Sequence, residues 1–195
     1  MKKYYSILIS VLFCTLSISS MAQFQATMKY TLSGNEKHFK VFTDEDRYRY
    51  EFNEDGQQGV VIVLSKTAEV FVLMPQQKMA MKTISTSMMS MANDPILAYN
   101  YQVDQGGIEK VIGHEEVNDI DCVKKELYTE TEQLLYTIWF SEEYNFPIKM
   151  QSHMDITGNT NMELTDLKDW TPDDNSFLVP EGYTIMDQRT MMPEH

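Results

Sequence analysis

The sequence predicts a mainly β fold: a curved antiparallel sheet, or incomplete β-barrel, closed by a short helical insertion. Three observations lead there. Segment after segment alternates apolar and polar residues with a period of two. Short turns rich in Gly, Asn, Asp and Glu separate these segments. One methionine-rich stretch near the middle breaks the alternation and takes up helical spacing. The alternation is plain at Phe146, Ile148, Met150 and Met154, which fall on one side, with Lys149, Gln151 and His153 on the other.

The chain has 195 residues, enough for one domain with a real core. Its first 22 residues have the form of a secretory signal peptide: Lys2 and Lys3, an apolar run over 7–18, then Ser20-Met21-Ala22 as a small-x-small cleavage site. The apolar run is too short to span a membrane. A lipoprotein signal on Cys14 would place a small residue where Phe13 stands. The expected mature chain therefore starts at Gln23, has no transmembrane segment, and forms a single domain over 23–186 with a loose tail over 187–195. Losing Lys2 and Lys3 takes the net charge from −13 to −15. That balance argues against a nucleic-acid partner and against charge-driven adhesion to anionic membranes. Only Cys122 remains after cleavage, which excludes an intramolecular disulfide.

In order, Phe24, Ala26, Met28, Tyr30 and Leu32 alternate with polar neighbours as a first strand. A second strand is expected over 37–43, and Asp44-Glu45-Asp46 turns the chain. Tyr48, Tyr50 and Phe52 then point inward, with Arg47, Arg49 and Glu51 outward. Val60-Val61-Ile62-Val63-Leu64 and Val70-Phe71-Val72-Leu73-Met74 are apolar on both faces, so something must cover their second face. A short strand over 78–82 precedes one or two helices over 85–101. Ile84, Met88 and Met91 lie at helical spacing there, and Asp94-Pro95 reads as an N-cap followed by proline at the first helical position. Strands return over 108–112, 120–129, 134–140, 146–154 and 161–169, about ten in all. The stretch from Trp170 to Tyr183 is polar, with Phe177, Val179 and Tyr183 available to dock.

Three blocks carry a resemblance. Gly113-His114-Glu115-Glu116-Val117-Asn118-Asp119-Ile120-Asp121-Cys122 is similar to a G-x-E-x-V-N-G-I-x-C block, with Asp119 in place of glycine. Thr137-Ile138-Trp139-Phe140 followed by Phe146-Pro147-Ile148-Lys149 resembles a tryptophan hairpin with a closing h-P-h-K. Asn175-Ser176-Phe177-Leu178-Val179-Pro180-Glu181-Gly182-Tyr183 resembles an S-x-F-x-V-P-x-G-Y ending, with Asn175 at the serine position. Together, over roughly 24–185, they resemble the DUF4412 family of secreted bacterial proteins, whose fold is similar to that of the LolA and LolB lipoprotein carriers. The resemblance implies a half-barrel wrapped around helices, with a concave space that holds acyl chains in the carriers.

No motif assembles a nucleophile with a base, a Walker loop or a zinc site. The histidines are scattered, and His153 sits on a polar strand face. Cys122 reads as a small hydrophobe within a strand. Asp155-Ile156-Thr157-Gly158-Asn159 only approximates the start of a calcium loop. Three readings suit the methionines: filling a core or facing a sheet, lining an adaptable apolar surface, or holding Cu(I) through Met79, Met81, Met88, Met89 and Met91. The expected function is a non-enzymatic envelope protein, periplasmic or secreted, that binds a lipid or other apolar ligand in the half-barrel without a cofactor. Val61, Val63, Phe71, Leu73, Met81, Met88, Met91 and Trp139 are the expected lining. Copper binding and docking of an envelope partner protein are the alternatives.

Overall fold

A computed structural model describes residues 23–32, 34–54, 56–154 and 160–190. The expected signal peptide over 1–22, the stretch 155–159 compared with a calcium loop, and the last five residues lie outside the described residues. Six strands run in a meander: β1 (Phe24–Leu32), β2 (Asn35–Asp44), β3 (Arg47–Glu54), β4 (Gln57–Leu64), β5 (Glu69–Met74) and β6 (Met79–Ile84). Helices α1 (Met88–Asn93) and α2 (Pro95–Asp104) follow. A second meander comprises β7 (Ile108–Val117), β8 (Ile120–Tyr128), β9 (Leu134–Ser141), β10 (Phe146–Ser152) and β11 (Asn161–Asp169). A final short strand is β12 (Thr184–Asp187).

All twelve strands form one sheet in the order β12-β6-β5-β4-β3-β2-β1-β11-β10-β9-β8-β7. Every pairing is antiparallel except that of β12 with β6. The sheet is curved and unclosed, with β12 and β7 at its free edges. Two connections cross it on opposite sides. The α1–α2 segment leads from β6 to β7, nearly from edge to edge, over what we call the inner face. The segment 170–183 leads from β11 to β12 over the outer face.

These crossings explain the strands that are apolar on both sides. On the inner face, Val61, Val63 and Val70 join a large core with Phe24, Met28, Tyr48, Tyr50, Leu97 and Tyr99. On the outer face, Ile62, Leu73 and Ala80 pack under Phe177, with Trp170, Val179 and Tyr183 around them. The second cover is thus the C-terminal crossing. A cation–π contact and a hydrogen bond hold it down: the Arg47 guanidinium lies 4.7 Å from the Phe177 ring centroid, and Arg49 Nη1 donates to the Ser176 carbonyl at 2.7 Å.

Local chemistry fixes the ends of the elements. Ser87 caps α1, its Oγ accepting from the Ser90 N–H at 3.1 Å. The α2 helix ends at Asp104; just beyond it Gly106 has a φ of +92°, which suits glycine, and the Gly107 N–H returns to the Gln102 carbonyl at 3.0 Å. Asn118 and Asp119 join β7 to β8 with φ of +53° and +62°, a two-residue turn in which both central residues are left-handed. Aspartate tolerates that conformation, so it can stand at a position where the resembled block has glycine. Among the described residues, no helix is long and apolar enough to cross a membrane.

Candidate ligand-binding site

The site is built where the inner crossing meets the sheet. Asp94 stands between α1 and α2 and is 3% exposed. Its Oδ1 caps α2, accepting from the N–H groups of Ile96 (2.9 Å) and Leu97 (3.1 Å), and Pro95 fills the first helical position. Its Oδ2 accepts from the Tyr48 hydroxyl at 2.7 Å, which ties the helical cover to β3. The Tyr50 hydroxyl reaches the Asn93 carbonyl at 3.5 Å. Further along α2, the Tyr99 ring meets the edge of the Tyr136 ring, centroids 5.6 Å apart, and its hydroxyl donates to Glu109.

Burial raises the Asp94 carboxyl to about 6, against the opposing pull of the three hydrogen bonds it accepts. The Tyr48 and Tyr50 phenols are pushed well above their ordinary range, chiefly by burial and then by the charge on Asp94. Each group therefore stays in its hydrogen-bonding form across the neutral range except Asp94, whose charge is marginal.

On one side of this junction lies a cavity of about 280 Å³. Tyr30, Phe39, Tyr50, Phe52, Val61, Val70 and Val72 form its floor, and Met89, Ala92 and Leu97 form its roof. Its polar lining is sparse: Lys37, Thr83, Ser90, Asn93 and Asp94. On the other side, a cavity of about 330 Å³ lies between α2 and the strands β3, β9 and β10. The first of these, apolar with a few polar groups, has the usual character of a small-molecule site; the second is also lined by Thr43, Glu45, Asp46, Arg47, Ser65, Asn100 and Asn145.

The expected lining residues divide. Val61 lines the first cavity, and Val63 is buried in the inner core beside it. Met81 lies opposite Val72 on the inner side of β6, and Met91 is half-buried on α1. Phe71 and Leu73 instead face the outer side, under the C-terminal crossing. In an all-apolar strand the alternation is invisible, so the sequence does not reveal which side is inner. Met88 is 84% exposed and its neighbour Met89 enters the cavity. A helix of six residues is too short for periodicity to fix its phase. Trp139 lies opposite Lys124 and Lys149 on the outer face, with their ammonium groups 4.8 and 4.9 Å from its ring centroid. The adjacent Ile138 is the residue of that strand that faces inward.

Sequence reasoning missed Met89, Phe39 and the role of Asp94. A signal for the last was present: a capping aspartate in a segment expected to lie over inward tyrosines. His153 is half-buried and hydrogen-bonds the Thr137 hydroxyl at 2.9 Å. Cys122 is fully buried, and burial pushes its thiol up to about 11.

No family model matches the chain, and no curated protein does so either. Solved structures share the fold. An uncharacterized conserved protein from Thermus thermophilus superposes with a TM-score of 0.58 at 9% identity, over 87% of this chain and 92% of that one. MucB in the Pseudomonas aeruginosa MucA/MucB complex superposes with a TM-score of 0.53 at 13% identity, over 86% of this chain; the match spans 59% of the MucB chain. A LolA superfamily protein from Nitrosomonas europaea matches at a TM-score of 0.42 and 10% identity, over 80% of this chain and 90% of that one, a level that carries no assignment. The likeness is one of fold, at identities where function does not travel with it.

Proposed function

We propose that this chain is a non-enzymatic envelope protein that binds a lipid or other apolar ligand between the inner face of the sheet and the α1–α2 cover. The observation that supports it is the cavity of about 280 Å³ with an apolar floor and a separate helical roof. Burying each ligand methylene there contributes about 0.8 kcal/mol. The revised lining is Tyr30, Phe39, Tyr50, Val61, Val72 and Met89. The buried, weakly acidic thiol of Cys122 makes a poor nucleophile, in keeping with a binding role. The secretory leader read in the sequence supports an envelope or extracellular location. Native mass spectrometry of residues 23–195 from the source host tests the reading. A bound mass of a few hundred daltons, lost on denaturation, is expected. A bare mass that stays bare after incubation with lipid extract overturns it.

A second reading, docking of an envelope protein, is favoured by β7. It is a free sheet edge on which Val111 and Ile112 are 65% and 51% exposed. Such edges accept an added strand. A bulge between Val111 and Gly113, with Glu109, Lys110, Glu115 and Glu116 nearby, blunts it against unspecific pairing. Cross-linking from position 111 in intact cells should capture one partner, and loss of that product in Ile112→Lys would locate the contact; an identical cross-link pattern in Ile112→Lys would sink the reading.

A further inference from the structure

At the β12 edge of the sheet, three strands set six side chains on two adjacent rungs of the inner face. Met79 of β6 lies opposite Met74 of β5 and Thr184 of β12; Met81 lies opposite Val72 and Met186. Ala80, between the two β6 methionines, packs into the outer core, which fixes both of them on the inner side. Four of the six residues are thus methionines, and all four are half-buried. None of them belongs to the two apolar cores, whereas Met28, Met150 and Met162 are buried in the inner one. Nor do they line either cavity beside the α1–α2 junction.

Strand geometry puts Met79 and Met81 about 6.8 Å apart along β6, with Met74 and Met186 about 4.8 Å to either side. Methionine is unbranched and its bonds rotate freely, so the thioethers can bend toward one point above the middle of β6. Thioethers are soft donors, and a set made of them alone favours Cu(I). Among the described residues, no group of three or more His, Cys, Asp or Glu side chains is placed to hold a harder ion. We infer that Met74, Met79, Met81 and Met186 form a binding site for Cu(I). Two of the α1 methionines expected to join such a site do not: Met88 is 84% exposed, and Met89 turns into the first cavity. Met186 lies on the short strand that ends the outer crossing, so the bound ion clips β12 to β6. The site is independent of the apolar-ligand reading and shares no lining residue with that cavity.

The test is anaerobic titration of residues 23–195 with Cu(I), held reduced by ascorbate, against a chromophoric Cu(I) chelator. Binding of a single ion per chain is expected. Leucine conserves the volume of methionine and removes the sulfur, and urea unfolding checks that each variant is folded. Met79→Leu combined with Met81→Leu should abolish binding, and Met186→Leu should weaken it. The triple variant Met88→Leu, Met89→Leu, Met91→Leu should bind as wild type does. A thioether has no proton to lose, so affinity, corrected for the chelator's own protonation, should stay constant from about pH 8 to about pH 5.5. Loading should also slow amide exchange over 184–187, since the ion holds β12 in place. Wild-type affinity in the folded Met79/Met81 double variant overturns the site. An affinity that falls through about pH 6.5 does so as well, because it marks a histidine ligand. Unchanged exchange over 184–187 on loading removes Met186 and overturns the four-methionine set. Absence of Cu(I) binding in the wild type overturns the inference outright and leaves the apolar-ligand reading untouched.

Discussion

Replacing Asp94 by asparagine isolates the electrostatic cost of the junction. The side chain of Asp94 is buried, and its carboxyl titrates near 6 in the fold against 3.8 for an ordinary aspartate. Between these values the folded chain holds a proton that the unfolded chain has released. Unfolding therefore releases a proton, and stability falls as pH rises through that window. Two units at 1.36 kcal/mol each give about 3 kcal/mol, fully present below about pH 4 and lost above about pH 6. Asparagine keeps an oxygen for the Ile96 and Leu97 N–H groups, so the cap survives while the titration disappears. The phenols that face Asp94, those of Tyr30, Tyr48 and Tyr50, are all raised and stay protonated throughout. Urea unfolding at half-unit steps from about pH 3.5 to about pH 8 gives the stability of each protein. Carboxylates such as Asp187, held at about 2 by Arg189, pull the profile the other way but cancel in the difference. The wild-type minus variant difference should drop by about 3 kcal/mol from low to neutral pH. Parallel profiles would refute the buried charge and, with it, the Tyr48–Asp94 latch as an electrostatic element.

Further outcomes follow from packing. Phe177→Ala should cost about 3–5 kcal/mol in urea unfolding, because the ring is fully buried over Ile62, Leu73 and Ala80. It should also open 170–183 to protease before the sheet unfolds; resistance equal to wild type would mean that Trp170, Val179, Tyr183 and Arg49 hold the outer crossing without the Phe177 ring. Gly107→Ala should cost about 1–3 kcal/mol, since a Cβ there would meet the Gln102 carbonyl oxygen at 2.7 Å. An unchanged midpoint would show that the end of α2 gives way freely. Cys122, buried with a raised thiol, should react with a thiol reagent only at the rate of unfolding; fast labelling at neutral pH would contradict its placement.

Where one face of a strand is core and the other is solvent, its role is legible. The alternations in β1 and β3 place Phe24, Ala26, Met28, Tyr48 and Tyr50 correctly in the interior. Asp94-Pro95 reads as a helix start and is one. Legibility fails where that contrast vanishes. Strand β7 runs on through Gly113 to Val117, but both of its faces are exposed, so its second half looks like a charged loop. Strand β12 pairs in parallel with β6 at the end of a long crossing, a relation that no local pattern announces. The double apolar faces of β4 and β5 announce a second cover without saying which segment supplies it. That ambiguity is what puts Phe71 and Leu73 on the wrong side of the expected site.

Curvature and cavity have a common origin in the length of the inner crossing. From β6 to β7 the sheet takes ten strand-to-strand steps, which at about 4.8 Å each is about 48 Å if flat. The link between them is 85–107. Its helices contribute sixteen residues, about 24 Å at 1.5 Å per residue. The remaining seven add at most about 24 Å fully extended. A flat sheet would leave this link no slack, yet it turns at Asp94 and again at Gly106. The sheet must therefore curve until the link follows a chord, and a chord stands off the arc that it closes. Side chains from Tyr48, Tyr50 and Tyr99 bridge that gap near the middle of the crossing, which leaves open space on each side of them. The two cavities are thus what a short crossover over a wide sheet produces.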